Sequence, residues 1–195
     1  MSSPEQTSNP DQVTKETIPL WLAVAITVVL VMPLALWLGE YNFALWCSFI
    51  VWSEYFFLGA KPECLKLIVP TFSLGVLLTA LTLWAIPLFE FLPSLRTDGD
   101  LAATVALFLG VAFMVYIMNW SEMLQAGSLP YFNGISMTLA IYFTGSFPSF
   151  GETLPAPLVA GIWTILMGAF GSLMGVFNVW LTFPRVKATP AQSLS

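Results

Sequence analysis

Residues 157–183 read PLVAGIWTILMGAFGSLMGVFNVWLTF, an uninterrupted run without a single charge. A helix of that length rises about 40 Å, more than the ~30 Å hydrocarbon core of a bilayer. It reads as a membrane-crossing segment, and it has company. Working back along the chain, apolar runs recur at 131–146, 101–119, 67–89, 42–60 and 20–39. The sequence therefore predicts an all-α, polytopic membrane protein with six transmembrane helices. Composition agrees: 57% of the residues are hydrophobic and 9% are charged, whereas a soluble domain carries about a quarter of its residues as charges. Six basic and eleven acidic residues cannot coat a soluble globule of 195 residues. Disorder is excluded by the same hydrophobicity.

Three segments follow. Residues 1–18 form a polar tail expected to be disordered, 19–184 the six-helix transmembrane domain, and 185–195 a short C-terminal tail. The N-terminal tail lacks the positive start of a signal peptide, and no lipidation signal is read in the chain. With six crossings both tails share a side. That side collects Lys15, Lys61, Lys66, Arg185 and Lys187, and the other side only Arg96. The positive-inside rule then places both termini in the cytoplasm. Glu40, Glu90, Asp98, Asp100 and Glu152 leave the outer face acidic, which for loops this short reads first as solvation.

Several chemistries drop out. There is no histidine, so imidazole ligation, His-containing zinc sites and Ser-His-Asp catalysis are not expected. Cys47 and Cys64 would stand about 25 Å apart along a helix, beyond disulfide reach. No nucleotide-binding loop or basic cluster points to ATP or nucleic acid. We expect no catalytic residue, cofactor or metal, and no enzyme.

Two packing signals stand out. Gly161, Gly168 and Gly175 recur every seven residues in the last span, and Gly171 with Gly175 makes a GxxxG pair. A bare backbone stripe lets another helix approach closely, either within the chain or on a partner subunit. Trp21, Trp37, Trp84, Trp120 and Trp180 fall near span ends, as an interfacial belt does.

The functional signal is one acid. Glu54 is the sole charge inside the predicted spans, where an ionised side chain costs about 2.5–3.5 kcal/mol. Cys47, Glu54 and Lys61 lie at seven-residue spacing, which would make a polar stripe on one face. Three readings of Glu54 stay open: a functional site in a wet cavity, a structural partner of Lys61 or Lys66, or a neutral protonated acid. Three helices plus three helices would make any internal repeat inverted. Helix two ends Tyr55-Phe56-Phe57-Leu58-Gly59-Ala60-Lys61-Pro62 and helix five ends Tyr142-Phe143-Thr144-Gly145-Ser146-Phe147-Pro148. Short, Gly/Pro-interrupted segments at matching positions point to a transport path. The Gly145–Glu152 connection reads either as a plain outer loop or as a segment dipping back into the protein.

The segment Glu54-Tyr55-Phe56-Phe57-Leu58-Gly59-Ala60, Lys66 at the start of helix three, Leu129-Pro130-Tyr131-Phe132-Asn133-Gly134 and the glycine-rich last helix together resemble the family called domain of unknown function 1097. The resemblance covers residues 40–183. It implies a small multi-pass protein of the bacterial inner membrane and brings no activity, substrate or site residues.

The residues themselves suggest a channel or secondary transporter for a small solute, with a path between helices two and five. Glu54, Ser53 and Tyr55 would line it from one side and Asn133, Ser136, Thr138 and Thr144 from the other. One carboxyl among hydroxyls and amides suits a neutral or cationic solute, with proton linkage where the acid takes up a proton, and disfavours an anion. The competing reading is a non-catalytic accessory or structural subunit of a larger membrane complex, docked through the glycine-rich helix. The expected partners are the lipid bilayer and an unidentified small solute, with a second copy or a membrane-complex subunit left open.

Overall fold

The computed structural model describes residues 17–149 and 154–183. The expected disordered tail up to residue 16, the C-terminal tail and residues 150–153 of the Gly145–Glu152 connection lie outside the described residues.

Every regular element among the described residues is helical: α1 (Leu20–Trp37), α2 (Leu45–Phe57), α3 (Leu65–Trp84), α4 (Asp100–Ile117), α5 (Glu122–Ala126), α6 (Ser128–Thr144) and α7 (Ala156–Thr182). Four are long and apolar enough to cross a membrane: α1, α3 and α4 with their flanking turns, and α7. The six expected spans thus resolve differently in number and length. α2 has 13 residues, about 20 Å, and α6 has 17, about 25 Å, both short of the hydrocarbon thickness.

The reasons are local. Before α2, Asn42 sits in the left-handed region at φ 53° and ends the tight turn Gly39–Tyr41. After it, Gly59 and Ala60 take φ of 104° and 56°, so the helix stops at Phe57 and the polar stripe imagined from Cys47 through Glu54 does not reach Lys61. Ala60 N–H donates to the Tyr55 carbonyl at 2.8 Å, and Ser146 N–H donates to Ile141 at 3.0 Å. Both helices therefore end with the same glycine-centred closure, Gly59 in one and Gly145 (φ 65°) in the other. The matched Tyr-Phe…Gly…Pro strings are thus helix-ending signals. α3 stops at Trp84 rather than near residue 89, because Pro87 lacks an N–H and biases Ile86 away from the helix, leaving a tight turn at Ile86–Phe89. The short α5 was not anticipated. The Ser121 hydroxyl caps it by accepting from Leu124 N–H at 3.4 Å.

α3 and α7 form a central antiparallel pair. Gly168 abuts the Phe72 ring and Gly161 abuts Ala80. α6 packs along α3, and α2 packs along α7. α4 flanks α3, and α1 flanks α7. The α3/α6 crossing is a reciprocal glycine contact. A methyl group on Gly75 would strike the Tyr131 carbonyl, and one on Gly134 would strike the Phe72 carbonyl. At the α2/α7 crossing Gly171 lies against the Ser48 backbone, and the Ser48 hydroxyl donates to the Met167 carbonyl at 2.8 Å. One turn on, a methyl group on Gly175 would stand 2.7 Å from the Tyr55 ring. At one end of the bundle, Thr17 N–H donates to the Thr182 carbonyl at 2.9 Å, so the start of α1 and the end of α7 lie together.

Outward-facing side chains are those a bilayer accommodates. Trp21, Trp37, Trp84, Trp120 and Trp180, all near helix ends, are exposed, as are Val29, Leu30, Phe108, Phe113 and Leu173 between them. Several buried threonine hydroxyls are satisfied inside their own helices: Thr79 donates to Gly75 at 2.8 Å, Thr138 to Gly134 at 2.7 Å and Thr164 to Ala160 at 2.7 Å. With no water at hand, the carbonyl four residues back is the nearest acceptor.

Replacing Gly134 or Gly171 with Leu should force apart two backbones and cost at least about 1–3 kcal/mol. The expected result is loss of the monodisperse peak in detergent and a lower melting temperature. Gly39→Leu, where nothing lies within 4 Å of the added carbon, should leave both unchanged.

Candidate functional site

Glu54 points away from lipid. Its residue is 1% exposed, three positions from the end of α2. On the facing helix, Asn133 lies in the second turn of α6, close to the corresponding end of the bundle. Its side-chain amide donates from Nδ2 to Glu54 Oε1 at 2.5 Å. The other carboxyl oxygen, Oε2, is buried and has no hydrogen-bond partner. An unpartnered charged oxygen in a low-dielectric interior is among the costliest arrangements a protein can hold. The structural pairing with Lys61 or Lys66 considered from the sequence is replaced by a neutral amide partner. The helix endings explain why: Lys61 lies beyond the end of α2, in extended backbone (φ −110°, ψ 145°).

The remaining residues of the expected path divide. Tyr55 is buried, 1% exposed, with its ring against Gly175 of α7. Thr138 is buried and bonded to its own helix. Ser53, Ser136 and Thr144 are exposed; Ser53 donates to Ile50 at 2.7 Å and Thr144 to Ala140 at 2.6 Å. The structure therefore brings Glu54 and Asn133 together, and it does not gather the hydroxyls around them. Asn133 is half-buried where it meets α2, whereas Ser136, one turn on, is exposed.

Other buried polar groups were not singled out in the sequence. Asn178 Nδ2 donates to Thr27 Oγ1 at 3.0 Å, joining α7 to α1, while Asn178 Oδ1, Trp52 Nε1 and Ser172 Oγ are buried without partners. Asn178 was visible as an amide inside an apolar run, the same kind of signal that marked Glu54. A small cleft of about 30 Å³ opens between α2, α3 and α7, lined by Val51, Phe72, Ser73, Gly168 and Ser172. It is almost wholly apolar and lies beside α7, not between α2 and α6.

At the opposite end, Asn42 ties three segments together. Its amide donates to the Phe147 carbonyl at 3.0 Å, and its own carbonyl accepts from Trp163 Nε1 at 3.0 Å. The α1–α2 turn, the segment after α6 and the start of α7 are thereby joined, while Glu54 and Asn133 sit near the other end.

Among the described residues no cluster of three or more His, Cys, Asp or Glu side chains could hold a metal ion. The family described as "Protein of unknown function (DUF1097)" matches residues 21–183. No curated protein and no solved structure matches the chain.

The Glu54–Asn133 contact is testable by a double-mutant cycle. Asn133→Leu should destabilise by about 1–3 kcal/mol by leaving a buried carboxyl with no donor. Glu54→Leu should cost a similar amount. The double variant should recover part of the loss, because two apolar groups leave nothing unpaired. Thermal unfolding in detergent reads the coupling.

Proposed function

We propose that this chain, which belongs to the DUF1097 family, is an integral membrane channel or secondary transporter for a small neutral or cationic solute, with its path between α2 and α6. The observation that carries the reading is Glu54, a fully buried acid inside an apolar helix, met by one amide and left with one oxygen free. Intramembrane acids that face the bundle interior mark ion and substrate pathways. A carboxyl with a spare acceptor binds a hydroxyl, an amine or a cation, and repels an anion.

In this reading α2 and α6 complete six crossings alongside the four longer helices. The contacts support alternating directions. α2 runs parallel to α7, since Ser48 meets Gly171 and Tyr55 meets Gly175. α3 runs parallel to α6, since Thr71 meets Gly127 and Gly75 meets Tyr131. Exchanging α1, α2 and α3 for α4, α6 and α7 turns each principal pairing into another: α2/α7 becomes α6/α3, and α1/α7 becomes α4/α3. That interchange is what an inverted 3+3 repeat requires, and it puts the two short helices in equivalent places on either side of the central pair. The basic asymmetry orients the protein with both termini in the cytoplasm, in the inner membrane of a bacterium.

The accessory-subunit reading draws less support. It needs the glycine face of α7 for docking, and Gly161, Gly168, Gly171 and Gly175 are each within close reach of α2 or α3 of the same chain. With no histidine in the chain, we take the protein as non-enzymatic.

Purified protein in liposomes should accelerate entry of urea, glycerol, Na⁺ or K⁺ over empty liposomes, and Glu54→Gln should change that rate at least tenfold while folding normally. Failure of all four solutes to move faster would return the accessory-subunit reading. For orientation, cysteines introduced at Ser3 and Ser193 should resist an impermeant thiol reagent in intact cells and react after lysis.

A further inference from the structure

We infer that the transport cycle is a one-for-one exchange of a proton for a monovalent cation, both held in turn at Glu54. The inference rests on the transport reading above and names its solute and its coupling. Three observations carry it. Glu54 Oε2 is buried and unpartnered, while Oε1 is held by Asn133. The helices packed around the site bring almost no other charge: α1, α6 and α7 contain none, and α3 contains only Lys66, in its first turn. The two helices that carry the site are each held backbone-to-backbone, α6 to α3 where Gly134 meets Phe72 and α2 to α7 where Gly171 meets Ser48, so Glu54 and Asn133 stand on closely packed helices.

Titratable groups near the site are few. On α2 itself Cys47 lies two turns away on the same face and is buried, and Tyr55 is adjacent. From α6 comes Tyr131, whose hydroxyl donates to the Met114 carbonyl at 3.0 Å, while Tyr142 lies at the far end of that helix, stacked on Phe147. The turn after α2 carries Lys61, Glu63 and Cys64, whose thiol donates to the Leu58 carbonyl; α3 carries Lys66, and α1 and α7 carry none. Glu54 is thus the one carboxyl carried by α1, α2, α3, α6 and α7.

The exchange follows from cost. A bare carboxylate with an empty oxygen cannot move through a low-dielectric bundle cheaply, so the site changes access when it is neutral. A proton does this by forming an O–H bond at Oε2. A monovalent cation does it by pairing with the carboxylate after that proton has left for water. A divalent ion would leave one positive charge uncompensated. Each turnover then moves one proton one way and one cation the other, with no net charge. Asn133 serves both states, because rotating its amide exchanges the Nδ2 donor for the Oδ1 acceptor, which gives the cation a second oxygen.

The test uses the full chain in liposomes with an acid interior and an internal pH dye, with Na⁺, K⁺ or guanidinium added outside. At least one cation should alkalinise the interior, with equal rates whether or not the membrane potential is clamped. Lowering the pH by one unit should raise the half-saturating cation concentration up to tenfold without lowering the maximal rate. Glu54→Gln, which imitates the protonated form, should fold and exchange nothing, and Glu54→Asp should retain exchange at a reduced rate. Transport of urea or glycerol without proton movement would overturn the exchange and leave the transport reading intact. Cation movement that carries net charge, or that ignores protons, would also overturn it. Absence of any flux would remove both. The competition between protons and cation is measured on the unaltered protein, so it decides even if both variants fail to fold.

Discussion

The bundle depends on the close approach of bare backbones at glycine. Gly75 of α3 meets the Tyr131 backbone, Gly134 of α6 meets the Phe72 backbone, and Gly171 of α7 meets Ser48 of α2. In lipid no hydrophobic force drives helix against helix, so association relies on van der Waals contact, and that contact is greatest where no side chain intervenes. These crossings fix how far α2 and α6 sit from the central α3/α7 pair. Through that spacing they set whether Asn133 can reach Glu54. A side chain at either crossing would separate the site from its support.

Helix length has a consequence for function. α2 and α6 are shorter than the bilayer, and both end in glycine-centred closures at opposite ends of the bundle. The uncovered backbone at such endings must be satisfied by protein or water. At one end Asn42 does this by joining the segment after α6 to the start of α7 through Phe147 and Trp163. At the other, the Cys64 thiol donates to the Leu58 carbonyl at 2.7 Å. Between these two short helices, each tied down at its own end, one pair of polar side chains crosses, Glu54 and Asn133, near the end where α2 stops.

Much of the site was legible from chemistry alone. A single charge in an otherwise uncharged set of spans singles itself out, and Asn133 could be named because an amide near a helix start is conspicuous among Phe, Ile and Leu. Ser136 and Thr144 were equally conspicuous and were misleading. Hydroxyls in hydrocarbon find the carbonyl one turn back, so their presence in a sequence says little about a path. Ser48, whose hydroxyl bonds across to α7, gave no signal, since it looks like every other small residue in its run.

The sequence by itself determined that this is a helical membrane protein, that Glu54 is the one charge within its apolar runs, and that the last helix carries a packing stripe. Each of these follows from local composition and from the cost of charge and bare polar groups in lipid. Only the tertiary structure decided which partner Glu54 takes, that its second oxygen has none, and that the α3/α6 crossing runs through Gly75 and Gly134, which no periodic pattern marked. It also shortened α2 and α6, through the left-handed residues Asn42, Gly59, Ala60 and Gly145. Pairing across helices depends on the relative rotation and depth of two segments far apart in the chain, and hydropathy carries no information about either.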